Sequence, residues 1–333
     1  MLQNYVSNTT RYQYIQQLGQ GQMSQVVLVK DIMKNQLCAM KIILKELLEE
    51  PQFALSMKRE ILIHMNLNHK NVVKLYETFE DDNFLYLVLE YCNQGTLSSQ
   101  KALFLENNIF DCFHQILDGI DYLHNNNIIH RDIQPDNILI DNGVYKICDF
   151  GNAIQLNFDK LYISEKQGSI DYAAPEILQN LDYDHKVDIW SLGVVIYELL
   201  HQHKPQQEVQ VNERLNEDLQ ILLYAMLTKP FQQRPSCKQV YLCKWFKKMM
   251  KQLKLFNKYE HEQLKTKHLN KQIQIKTLQN CCFDLKQAAV SHSNSLTQSD
   301  STTAPMIPNS IQNSTDSLHD SIPIVEFPAN PQM

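Results

Sequence analysis

What is missing narrows the reading first. The eight cysteines (Cys38, Cys92, Cys112, Cys148, Cys237, Cys243, Cys281 and Cys282) show no spacing of the metal-binding or disulfide-framework kind. They read as reduced, intracellular thiols. Residues 1–14 are polar and lack the apolar core of a signal peptide, so the expectation is a chain that is not secreted. No apolar run is long enough to cross a bilayer: the longest, Val187 to Leu200, carries Asp188, Ser191 and Glu198. It reads instead as a helix buried on all sides. Basic charge is not in excess either, and a formal net charge of −6 argues against a wholesale nucleic-acid binder. The expected location is intracellular, in cytoplasm, nucleus or both. At 333 residues the chain can bury a sizeable core, in two or three structural units.

What is present centres on His130-Arg131-Asp132-Ile133-Gln134-Pro135-Asp136-Asn137, followed by Asp149-Phe150-Gly151. Asp132 can accept a hydroxyl proton. Asn137 and Asp149, the second beyond a short hairpin with its turn at Asp141-Asn142-Gly143, supply two oxygen ligands for Mg²⁺. Upstream, strand-like alternation from Tyr14 to Leu18 turns through Gly19-Gln20-Gly21-Gln22-Met23-Ser24-Gln25 and resumes at Val26. Glycines there let backbone N–H groups approach phosphates. Lys41 has apolar flanks, so its stem reads as buried and its ammonium needs a carboxylate. Phe53, Met57, Glu60, Ile61 and His64 recur at helical spacing, which puts Glu60 on an apolar face. Val72 to Leu75 and Phe84 to Leu89 read as an antiparallel pair. Ile109, Phe113, Ile116, Leu117, Ile120 and Leu123 form a helical stripe leading into the catalytic stretch.

These motifs, in this order, resemble the protein kinases over roughly Tyr14 to Phe246, and among them most closely the Aurora branch and its neighbours. The resemblance implies an α+β, two-lobed fold: a small antiparallel-sheet lobe over about 14–90, then a mainly helical lobe over about 93–246. ATP and Mg²⁺ are the implied cofactors. By the same resemblance Leu18, Gly19, Gly21, Ser24, Val26, Ala39, Leu89, Glu90, Cys92, Asp136 and Leu139 line the nucleotide site. Lys41 pairs with Glu60 against the phosphates, Asp132 is the catalytic base, and Asn137 and Asp149 hold metal. Structural roles fall to His64, Leu75, His130, Phe150, Asp188 and the ion pair Glu176–Arg234. Arg131, Tyr162, Ser164 and Ser169 are the implied regulatory residues, with Ser164 and then Tyr162 as sites for an upstream activating kinase.

Three positions depart from the family pattern. Ser24 stands for the third glycine, and His64 for an apolar residue that packs toward Phe150, where a neutral hydrogen-bonded core histidine is expected. Gln134 replaces the usual lysine, so a slow kinase is expected. Between Leu200 and Leu215 the chain is short, and a helix is expected to be reduced there.

Beyond the domain, 1–13 reads as an N-terminal extension and 247–286 as a basic helical extension. From Lys244 to Lys276 ten lysines face Glu260 and Glu262, with Trp245, Met249, Leu253 and Phe256 at helical intervals. A helix packed back on the domain is one reading; a calmodulin-like target or an acidic-membrane contact through 244–276 is the other. Residues 287–333 are Ser-, Thr-, Asn- and Pro-rich and are expected to be disordered. The functional expectation is a serine/threonine protein kinase acting on protein substrates, preferred over tyrosine because of Pro135 and the ending Gly168-Ser169 to Ala174-Pro175-Glu176. Its rivals are a pseudokinase scaffold and, more distantly, a small-molecule kinase.

Overall fold

The computed structural model describes residues 11–254 except 22, 105, 107, 157–167, 207 and 208. Strand periodicity organises the first half. Five strands, β1 (Tyr12–Gln20), β2 (Ser24–Asp31), β3 (Gln36–Leu44), β4 (Leu75–Glu80) and β5 (Phe84–Glu90), form one antiparallel sheet in the order β1-β2-β3-β5-β4. Successive side chains alternate between faces. In register, Val26 opposes Lys41 and Lys41 opposes Leu87, while Leu28 opposes Ala39 and Ala39 opposes Leu89. These two rows share a face. Val27, Val29, Cys38, Met40, Ile42, Tyr86 and Val88 occupy the other and pack into an apolar cluster, each contributing on the order of 1.5–3 kcal/mol by leaving water. Lys41 therefore emerges on the side that this cluster does not seal.

Helix α1 (Pro51–His64) starts with a proline, whose missing N–H costs nothing in a first turn, and the Glu50 side chain accepts from the amides of Gln52 and Phe53. It buries Met57, Glu60, Ile63 and His64, so a carboxylate and an imidazole share its inward face.

Two boundaries differ from the sequence expectation. Gly19 and Gln20 stay in β1, opposite Val26 and Gln25, so the glycine turn is confined to 21–23, where the Gly21 amide donates to Ser24 O at 2.8 Å. Backbone ladder bonds hold polar residues that alternation alone assigns to a loop. Val72 and Val73 lie outside β4: Val72 bridges Ile147 in parallel, and the Val73 amide donates to Ile147 O. These buried β-branched residues tie the sheet lobe to the second lobe instead of lengthening the sheet.

The second lobe is built on α2 (Ile109–Asn125), α3 (Lys186–His201) and α4 (Glu217–Met226). All six residues of the α2 stripe are buried. Helix α3 buries twelve of its residues, which fits the all-round apolar reading of 187–200. Two short pairs lie at the junction of the lobes: β6 (Ile128–Ile129) with β9 (Ile154–Gln155), and the hairpin β7 (Ile138–Asp141) with β8 (Val144–Ile147). The hairpin turns on Asn142 and Gly143, with φ of 48° and 78°, the positive pair that matches strand twist. This is the expected two-lobed α+β architecture. Among the described residues no helix lies between α3 and α4.

Residues 244–254 are helical and run back along this lobe. Trp245 and Phe246 are only 3% and 1% exposed, packed on Phe110 and Phe113. Lys244, Lys247, Lys248, Lys251 and Lys254 remain exposed. Over 244–254 the packed-back reading applies, because Trp245, an anchor of the expected amphipathic helix, is a core residue here; Phe256 lies outside the described residues. The rest of the 244–276 expectation and the 287–333 tail lie outside the described residues. No described helix is long and apolar enough to cross a membrane, and the six described cysteines are free.

Candidate active site

The cleft between the lobes collects charge from three elements. Lys41 Nζ on β3 lies 2.7 Å from Glu60 Oε1 on α1 and 3.6 Å from Asp149 Oδ1 beyond β8. Burial opposes a charged lysine, but Glu60 and Asp149 outweigh it and hold Lys41 above its ordinary value. Burial likewise opposes the Asp149 carboxylate, and Lys41 with the Gly151 amide overcomes it, so this carboxyl sits below its usual range. Asp149 has a φ of 62°, in the left-handed region that a non-glycine residue occupies at a cost.

Asp132 sits on the loop after β6, with 7% of its surface exposed. Its Oδ2 accepts from Asn137 Nδ2 at 2.9 Å and from Asn152 Nδ2 at 3.1 Å, and its Oδ1 accepts the Ser169 amide at 2.9 Å. Gln134 Nε2 donates to Ser169 Oγ at 2.8 Å. Asn137 also donates to Asp132 O, and its own carbonyl accepts the Cys148 amide, both at 2.9 Å. The β7–β8 hairpin thereby holds Asn137 beside the approach to Asp149. With its NH₂ on Asp132, Asn137 keeps Oδ1 as an acceptor. Together with Asp149 this is a hard, oxygen-only donor pair, which suits Mg²⁺ shared with phosphate oxygens. Among the described residues no group of three His, Cys, Asp or Glu forms an all-protein metal cage.

Behind these groups lies a rigid support. Phe150 packs between His64 and His130, with ring centroids 4.6 and 5.1 Å away. His64 Nε2 donates to Val73 O at 2.7 Å, and burial pushes its pKa down to about 4, so the ring is neutral. Leu75 joins Ile43, Met57 and Leu87 in a cluster against α1. His130 Nε2 meets Cys148 O at 3.1 Å. Asp188, buried on α3, accepts the His130 amide at 3.0 Å and the Arg131 amide at 2.8 Å, and His124 Nε2 donates to it at 2.9 Å. Arg131 donates from Nε to Asn152 O at 2.7 Å and from Nη1 to the Tyr183 hydroxyl at 3.0 Å. Glu176 and Arg234 form a buried two-pronged pair at 2.6 and 3.2 Å.

Of the residues expected around a nucleotide, Val26, Ala39 and Leu89 lie on the rows that carry Lys41. Gly19 and Gly21 flank the short turn, and Leu139 bridges Thr96 across the lobe junction. The Glu90 amide is taken by Lys74 O, and its carboxylate lies 3.1 Å from Lys146 Nζ. Cys92 is buried, its thiol pushed up to about 12. Asp136 is exposed at the loop edge, and Leu18 is partly exposed. Ser169 meets the site through its amide as well as its hydroxyl. Ile170, the next residue in the chain, is 69% exposed. Tyr162 and Ser164 lie outside the described residues.

Sequence reasoning missed Asn152 and His124, and the backbone demand at Gly168. Asn152 has no part in the sequence reading, yet it holds both Arg131 and Asp132. Gly168, which the sequence singles out only as part of the ending Gly168-Ser169, has a φ of 87°, and a Cβ there would fall 2.1 Å from Arg131 O, so only glycine fits. His124, at the end of the α2 stripe, signals itself only by being polar at the rim of an apolar face.

Residues 12–253 match the family described as protein kinase domain. The chain is 39% identical over 197 residues to an Aurora kinase of Saccharomyces cerevisiae, covering 57% of this chain and 53% of that protein. It is 37% identical over 198 residues to calcium-dependent protein kinase 4 of Plasmodium berghei, covering 57% and 37%. It is 37% identical over 202 residues to the serine/threonine-protein kinase Nek3 of Mus musculus, covering 59% and 39%. The chain thus matches about half the length of the Aurora relatives.

Proposed function

Since the chain belongs to the protein kinase domain family, we propose that it transfers the γ-phosphoryl group of ATP to serine and threonine hydroxyls of proteins, with Mg²⁺ required. The observation that carries this reading is the pairing of Lys41 with both Glu60 and Asp149 in the cleft that also holds Asp132 and Asn137. Lys41, kept charged and oriented by Glu60, binds phosphate oxygens. Asn137 and Asp149 hold Mg²⁺, which when bound neutralises phosphate charge. Asp132, fixed by three N–H donors, orients the acceptor hydroxyl and takes its proton. Ala39, Leu89 and Leu139 give the adenine an apolar slot, and the hinge from Glu90 to Cys92 its polar edge.

Regulation follows the same reading. An upstream kinase acts on Ser164, or next on Tyr162, and Arg131 answers the added phosphate. The site works inside the cell on protein substrates.

The test is transfer from radiolabelled ATP with Mg²⁺ to a generic basic protein, comparing wild type with Asp149→Ala. Phosphate transfer by the wild type alone supports the reading. Nucleotide binding without transfer replaces it with a scaffold, the alternative to which the uncharged Gln134 lends weight.

A further inference from the structure

We propose that Asn152 is a positioning residue for Asp132, supplying a neutral donor to the reactive carboxylate where Gln134 brings no positive charge. The inference rests on the reading of Asp132 as the group that takes the hydroxyl proton.

An ionised carboxylate offers about four lone-pair sites. Among the described residues three N–H groups occupy Asp132: Asn137 at 2.9 Å and Asn152 at 3.1 Å on Oδ2, and the Ser169 amide at 2.9 Å on Oδ1. One site is left for an incoming hydroxyl. All three donors are uncharged amides, and the next residue in line, Gln134, is engaged with Ser169 Oγ. Among the described residues no cation bonds this carboxylate to set its plane. Its torsion is fixed on the Oδ2 side by two asparagines arriving from different directions.

Asn152 is well placed to hold it. Its carbonyl accepts Arg131 Nε at 2.7 Å, so one residue grips both Arg131 and Asp132. Its backbone leads directly into β9, which is pinned to β6 through Ile129 opposite Ile154 and Ile128 opposite Gln155. Since β6 also leads into the catalytic loop, the donor and the carboxylate are hung from one small sheet and move together. Asn137 restrains Asp132 only from within its own loop. Asn152 supplies the restraint from outside it.

A cation at 134 and an amide at 152 would serve one end, a fixed carboxylate facing the acceptor hydroxyl, so each should matter less when the other is present. The test is steady-state kinetics of the full chain as wild type, Asn152→Leu, Gln134→Lys and the double variant, with melting temperatures. Asn152→Leu is expected to lower kcat about tenfold while KM for ATP and the melting temperature stay close to wild type. In the Gln134→Lys background the same change is expected to cost less than about threefold. Asn152→Asp keeps the size but turns the donor into a second carboxylate, and is expected to lose more kcat than the leucine variant. A wild-type kcat in both position-152 variants overturns the proposal. So does an equal loss in both backgrounds, or a loss that tracks melting temperature. A wild type that transfers no phosphate overturns the kinase reading and this inference with it; an active wild type with indifferent variants overturns the inference alone.

Discussion

Gln134 and Ser169 are joined by a 2.8 Å hydrogen bond, and Ser169 in turn gives its amide to Asp132. The position where the family resemblance implies a lysine is thus tied to Ser169 as a neutral group. A positioned charge at such a site is commonly worth about 2–4 kcal/mol in the transition state. Gln134→Lys is therefore expected to raise kcat on one peptide substrate by roughly thirtyfold or more, with little change in KM for ATP. An unchanged or lower kcat with the fold intact would show that the site has adapted to glutamine.

His64 makes stability depend on acid. In the unfolded chain its imidazole takes a proton near 6.5, and in the folded chain only near 4. Between those values the unfolded state binds more protons, so this contribution is complete above about pH 6.5 and is lost as pH falls toward 4. The whole window is worth about 3 kcal/mol at most. Urea melts at pH 7 and pH 5 should show a larger loss for wild type than for His64→Leu. Equal losses would mean that the buried imidazole is not the group responsible.

Arg234 and Glu176 lie far apart in sequence and are both buried, and Arg234 also donates to the carbonyls of Thr228, Lys229 and Lys186. Removing one partner strands a charge in the core. Arg234→Met or Glu176→Leu alone is expected to cost about 3–5 kcal/mol, a fall of roughly 10 °C in melting temperature for a domain of this size. The paired substitution should recover part of it. Single variants that melt within about 2 °C of wild type would contradict the account.

Trp245 bears on the helix over 244–254. Its ring is packed on Phe110 and Phe113, so Trp245→Ala is expected to destabilise by about 3–5 kcal/mol. Lys247→Glu with Lys251→Glu, on the exposed side, should leave melting unchanged. If the alanine variant melts like wild type, this helix is not part of the core and remains open to a partner.

Much of the site was legible because its chemistry sits in short, ordered motifs. Lys41 and Glu60 could be paired from a strand lysine with apolar flanks and a helical face that needed a countercharge. Neutral His64 followed from an imidazole on an apolar stripe. What escaped was set by contacts between distant backbones. Gly168 is obligatory only because Arg131 O crosses beneath it, and nothing around residue 168 in the chain announces that. Asn152 was invisible for the same reason. The strand edges at Gly19 and Leu75 were misplaced because a hydrogen-bond ladder does not follow polarity.

Asp188 has a consequence for the order in which this protein is made. Its carboxylate holds the amides of His130 and Arg131 across 58 and 57 residues of sequence, so these two amides of the loop lack their partner until that much more chain has been synthesised and α3 has docked. On a ribosome that makes roughly 5–20 residues per second, the loop waits for several seconds after its own residues are joined. The sheet lobe, whose strands pair over shorter spans, can form in that interval. A nascent chain stalled just before Val187 should therefore display a folded first lobe and no capacity for transfer.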